Sequence, residues 1–160
     1  MNHIISKSCA DAQAYIVPFR AKSPRGVSIT PEIDAAVDLA INGSFGGNLG
    51  ETYAMTLPAG DKLTSIILLG LGADRLSVRD IHTKAAPAFK QAKQLGAKHV
   101  AIMLDQVSEL SESFELFGAL ARLPQLVGYT NSGLKSNPEN KSFEQVAFVT
   151  AADGLDAALS

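Results

Sequence analysis

The stretch Leu63-Thr64-Ser65-Ile66-Ile67-Leu68-Leu69-Gly70-Leu71-Gly72 decides how the rest of the chain is read. An apolar run this short, rich in Ile and Leu and closed by glycines, is the pattern of a strand buried on both faces. A strand covered on both sides needs helical layers, so periodic segments should flank it. Upstream, Thr30-Pro31-Glu32 has the form of a helix start, with a hydroxyl cap, a proline in the first turn and an acid at the positive dipole end. Ile33, Ala36, Val37, Ala40 and Ile41 then recur at helical spacing until Asn42-Gly43. Downstream, Ser77 can cap a second helix with Asp80 as the capping-box acid. Val78, Ile81, Ala85, Ala88, Phe89, Ala92 and Leu95 line its inner face, and Gly96 ends it. Pro87 falls inside this pattern and predicts a kink or a break.

Further strands are expected over residues 2–8, 14–20, 51–57, 98–104 and 144–150. Tyr53, Met55 and Leu57 share one face of the third of these, which Pro58-Ala59-Gly60-Asp61 turns into the opening run. Pro18 cannot donate to a ladder and is expected at a strand end or an edge. A third helix is expected over 109–122, with Phe114, Phe117, Leu120 and Ala121 inward, interrupted at Pro124; 125–129 reads as a further turn. Residues 22–28 and 131–140 read as loops. Alternating strands and helices give a mostly parallel sheet. The two strands at the start suggest antiparallel pairing between them, hence a mixed sheet. Residues 1–152 form one α/β domain on this reading, and 153–160 begin a helix.

The chain's 160 residues suffice for one domain with a sizeable core. A net charge of -2 provides no electrostatic footprint for DNA or an anionic membrane. Cys9 is the only cysteine, which excludes an internal disulfide and points to a reducing, cytoplasmic location. There is no charged leader followed by an apolar stretch, and no apolar run near the roughly 20 residues that span a bilayer.

Candidate chemistry is sparse. Gly70-Leu71-Gly72 follows a strand as in a dinucleotide-binding turn, but Arg75 stands where the third glycine belongs, so a strand-ending turn is the better reading. The Gly43–Gly50 loop could offer backbone donors to a phosphate but lacks a Gly-Lys-Ser/Thr ending. His3, His82 and His99 share no metal-ligand spacing. Cys9 reads as a small buried side chain. Ser44, Ser65 and Ser132 are not in a Gly-x-Ser-x-Gly setting. Asp105, Glu109, Glu112 and Glu115 straddle a helix start, where the dipole explains them. Phe114, Phe117 and the Leu126-Val127-Tyr129 segment form an apolar stripe, read mostly as core and partly as an interface. No catalytic, cofactor-binding or metal-binding residue is assigned.

Taken in order, the segments resemble the N-terminal domain of the leucyl aminopeptidase (cytosol aminopeptidase) family. Ile29 to Ile41 is similar to its first helix. Gly43-Ser-Phe-Gly-Gly-Asn-Leu-Gly-Glu-Thr52 is similar to its Gly-x-Phe-x-Gly-x-x-Gly-Glu loop, and Leu63 to Gly72 to its Val-Leu-Leu-Val-Gly-Leu-Gly strand. Ala85 to Val100, with Leu95-Gly96-Ala97-Lys98, is similar to the helix and strand that follow. Phe117 to Lys135 is a weaker match that retains Gly128 and Tyr129. The similarity covers about residues 14 to 150. Departures fall at Pro87, at Pro124 and after Tyr129, where Thr-Asn-Ser-Gly replaces Arg-Phe-Asp.

The resemblance implies a macrodomain-like three-layer fold, with a mixed, mostly parallel sheet flanked by helices. It also implies a non-catalytic role in oligomer assembly and active-site access. In that family a C-terminal domain binds two divalent metal ions (Zn or Mn) and releases N-terminal amino acids from peptides. Its Asn-Thr-Asp-Ala-Glu-Gly-Arg motif is absent from these 160 residues. The implied partners are that catalytic domain and the other subunits of a hexamer. Some members bind DNA, which the charge here does not encourage. The rival reading is a stand-alone module binding a nucleotide or ADP-ribose-like ligand.

Overall fold

The computed structural model describes residues 2–6, 12–20, 31–43, 46–59, 62–72, 75–104, 107, 110, 113, 115–123 and 145–150. Cys9, the 22–28 loop, Asp105, Glu109, Glu112, Phe114, residues 124–144 and residues 153–160 lie outside them. Strands β1 (Asn2–Ser6), β2 (Ala14–Phe19), β3 (Thr52–Ala59), β4 (Lys62–Gly70), β5 (His99–Met103) and β6 (Gln145–Val149) form one sheet. Their order is β1-β6-β5-β2-β4-β3. The first five in that order run parallel, and β3 closes one edge as the antiparallel partner of β4. The mixed sheet is therefore as the sequence implies, but its antiparallel pair is the β3–β4 hairpin. β1 and β2 do not pair with each other; β6 and β5 lie between them. Sequence neighbours separated by a short turn signal need not be ladder neighbours, because a parallel partner arrives from far along the chain.

β2 and β4 are the buried centre. Every residue of Ala14–Phe19 and of Ile66–Gly70 is buried. Odd and even positions of these strands feed separate clusters. Ile16, Ile67 and Leu69 face one layer, and Tyr15, Val17, Ile66 and Leu68 face the other. Helix α1 (Pro31–Asn42) covers the second layer with Val37 and Ala40. Helical segments α2 (Val78–Asp80), a π-helical turn (Ile81–Ala85) and α3 (Ala86–Gln94) cover the first, together with the helix α4 over 115–123. Phe89 and Phe117 are fully buried there, and Phe117 meets Phe148 of β6 edge-to-face at 5.1 Å.

Two prolines are accommodated by specific means. Pro87 sits in the first turn of α3. It has no N–H to return to the carbonyl four residues back, and the turn before it opens to π geometry. The helix is thus re-phased and not ended. Pro18 lies in a central strand, not on an edge. The β2–β5 ladder stops at Ile16, so Pro18 stands beyond the last rung on that side. The inner face of α2–α3 is as the periodicity predicts except at Leu95, which is 49% exposed where the helix ends. No helix among the described residues is long and apolar enough to cross a membrane.

Candidate functional site

The carboxyl end of a parallel sheet is where α/β folds place their ligands. Here that end is built from the exits of β2 and β4, the loop at 46–51, and the start of α2. The capping box forms as expected: Asp80 N donates to Ser77 Oγ at 3.1 Å, and Ser77 N donates to Asp80 Oδ2 at 3.2 Å. The Arg20 guanidinium donates to Leu71 O at 2.9 Å, and Leu71 N donates to Phe19 O at 2.8 Å, tying the two strand exits together.

The glycine loop is clasped onto the end of β4. Gly70 N donates to Glu51 O at 2.7 Å, Gly50 N to Gly70 O at 2.9 Å, and Gly72 N to Gly47 O at 2.9 Å. A Cβ at Gly70 would run into Asn48 O and lie 2.7 Å from the Gly47 carbonyl carbon. Gly70 is therefore glycine because another backbone crosses it. Gly72 adopts φ 71°, a left-handed conformation that completes the same crossing. The Gly70-Leu71-Gly72 turn needs no ligand to account for its composition.

The loop's own donors are also used. Gly46 N and Asn48 N both donate to Glu51 Oε1, each at 3.1 Å. A carboxylate thus occupies the position that a phosphate oxygen would need. Sequence reading did not single out Glu51 for this role. The signal was its position, directly after a glycine-rich loop whose amides must be satisfied.

An open cleft of about 470 Å³ lies between the start of α2 and the start of α4. Arg75, Ser77, Val78, Ser113, Glu115 and Leu116 line it. Both hydroxyls serve as helix caps; Ser113 Oγ accepts from Leu116 N at 3.3 Å. Among the described residues its lining has one cation and one acid, and no histidine or cysteine.

The remaining candidates are not brought together. His99 begins β5 and His3 lies in β1, with β6 between them, so their backbones are about 10 Å apart. His82 lies in the π-helical turn, and its Nε2 is buried without a hydrogen-bond partner. Ser65 lies within β4, where its N–H donates to Gln13 O. No group of three or more His, Cys, Asp or Glu side chains among the described residues could hold a metal ion. A further residue missed in the sequence is Gln13, whose Oε1 accepts from Lys98 N at 2.6 Å and His99 N at 3.2 Å and pins β2 to the start of β5.

Residues 32–138 match the model of the cytosol aminopeptidase family, N-terminal domain. A search of curated proteins finds no match. Among solved structures, a tomato leucine aminopeptidase mutant is similar with a TM-score of 0.70 and 17% identity, over 99% of this chain and 34% of that one. The bottromycin maturation enzyme BotP is similar with a TM-score of 0.60 and 15% identity, over 92% of this chain and 29% of that one. At such identities the likeness speaks for the fold. The chain spans about a third of the length of these structures. With two thirds of its residues inside the family match and the whole of its fold shared with a leucine aminopeptidase, the chain belongs to the cytosol aminopeptidase family, as its N-terminal domain.

Proposed function

We propose that this domain is the non-catalytic part of a leucyl aminopeptidase-type metallopeptidase, and that it works in oligomer assembly and access to the active site. The observation that carries this reading is the family match to an N-terminal domain, over a fold that corresponds to about a third of a leucine aminopeptidase. On this reading residues 1–152 are the domain and 153–160 lead toward the catalytic half. That half holds two divalent metal ions, Zn or Mn, which activate water and polarise the scissile carbonyl. The parent is a cytoplasmic hydrolase that releases N-terminal amino acids from peptides.

The 160 residues assayed on Leu-p-nitroanilide with manganese should give no turnover. Metal-dependent turnover by a clean sample would sink this division of labour. The downstream reading frame should carry the Asn-Thr-Asp-Ala-Glu-Gly-Arg run. In the protein translated through that frame, removal of residues 1–160 should reduce the number of subunits per oligomer. Against the rival nucleotide reading stands Glu51, which takes the loop amides such a ligand would use. Calorimetry with ADP-ribose tests it, and clear micromolar binding would reverse the ranking.

A further inference from the structure

The sheet has an edge at β3 whose one blunting residue is Pro58, near its end. The Thr52-Tyr53-Ala54-Met55-Thr56-Leu57-Pro58-Ala59 sequence carries no charge, although soluble proteins normally blunt such edges with lysines, short strands or bulges. Gly70 N bonds to Glu51 O, so Glu51 turns its carbonyl, and Tyr53, Met55 and Leu57 their amides and carbonyls, toward β4. Thr52, Ala54 and Thr56 turn theirs outward. Among the described residues no strand lies on that side of β3. Ala54 and Thr56 are exposed as well.

We propose that β3 is a pairing edge for a second copy of this chain, the two β3 strands running antiparallel about a twofold axis at Ala54. The inference rests on the assembly role proposed above and names the surface that performs it. The register follows from the sequence. Centring on Ala54 sets Thr52 opposite Thr56 of the second copy, so all three outward N–H groups find carbonyls. It also keeps Pro58, which has no N–H, beyond the ladder. Tyr53, 39% exposed, then faces Met55 of the second copy, a favourable aromatic–thioether pair. With no charge on either strand, the self-pairing meets no like-charge repulsion. One strand pair is a small interface, so the dimer of the isolated domain is weak and concentration-dependent.

Sedimentation velocity over a dilution series from about 10 μM to about 1 mM tests this. The wild-type chain should shift from monomer to dimer across that range. Ala54→Lys and Ala54→Glu each place like charges opposite one another on the axis, and each should weaken self-association at least about tenfold. An equimolar mixture of the two variants should restore the dimer, because the facing charges are then opposite. Both substitutions are on an exposed position, and circular dichroism checks that each variant is folded. A wild-type chain that is monomeric throughout overturns the inference. A dimer that survives in Ala54→Lys also overturns it, while leaving assembly through another surface open. Failure of the assembly role itself would show separately, as an unchanged number of subunits per oligomer on removal of residues 1–160.

Discussion

The centre of the sheet and its β3 edge are built on opposite principles. Around β2 and β5, Ile16, Phe89, Ile102, Phe117 and Phe148 are closed off completely beneath α2–α3 and α4. Along β3 and the start of β4, the same side of the sheet is open. Ala54, Thr56 and Pro58 are exposed there, and Leu63 is 71% exposed. The alternation that puts Ile67 and Leu69 in the core puts Leu63, four residues before Ile67, on the surface. The strand pattern is one continuous rule; the helical cover is not. The covered half holds the fold together, and the open face adds little to it.

The largest difference should appear on substitution in the covered half. Phe117→Ala removes a fully buried ring and its edge-to-face contact with Phe148. A loss of about 3–5 kcal/mol is expected in urea unfolding, enough to leave a marginal domain largely unfolded. A loss below about 1 kcal/mol would mean that α4 does not seal this face.

Gly70→Ala acts where the halves meet. The new methyl would press on Asn48 O and on the Gly47 carbonyl carbon, both backbone atoms with no rotamer to escape into. A cost of about 3 kcal/mol is expected, with amide exchange quickened over 46–51 before it quickens in β2. Glu51→Ala, at the same loop, removes the acceptor of two amides. Those hydrogen bonds are exposed, so about 1–2 kcal/mol is expected in thermal melts. If Glu51→Ala proved neutral, water would be serving the loop amides as well as the carboxylate does.

Much of this architecture could be read from the chain. The Leu63–Gly72 run, the Ser77–Asp80 cap and the spacing of Ala85, Ala88, Phe89 and Ala92 are local signals, and each element forms where its signal lies. Strand pairing is not local. β1 and β2 are close in sequence, yet β1 pairs with β6, more than a hundred residues away, and nothing in either strand's composition names that partner. The glycines of the 46–50 loop and of the β4 exit were visible separately. That they exist for each other could not be seen until a backbone crossing placed Asn48 over Gly70. Glu51 was hidden for a related reason: its role depends on the loop folding back, and a lone acid beside glycines has no distinctive spacing.

The smallest expected effect concerns the open half. Thr56→Lys puts a charge on an exposed position of β3, the outermost strand on its side of the described sheet. The stability of the monomer should change by no more than about 0.5 kcal/mol. Charged residues are also how other proteins silence such edges, so the substitution should raise the concentration at which the domain begins to aggregate on heating. A large loss of stability would show that Thr56 is packed, and the contrast between a sealed half and an open half would then be false. A neutral result sharpens it: ten residues along the hairpin, at Ile66, the same kind of change would bury a charge between two helical layers and should prevent folding altogether.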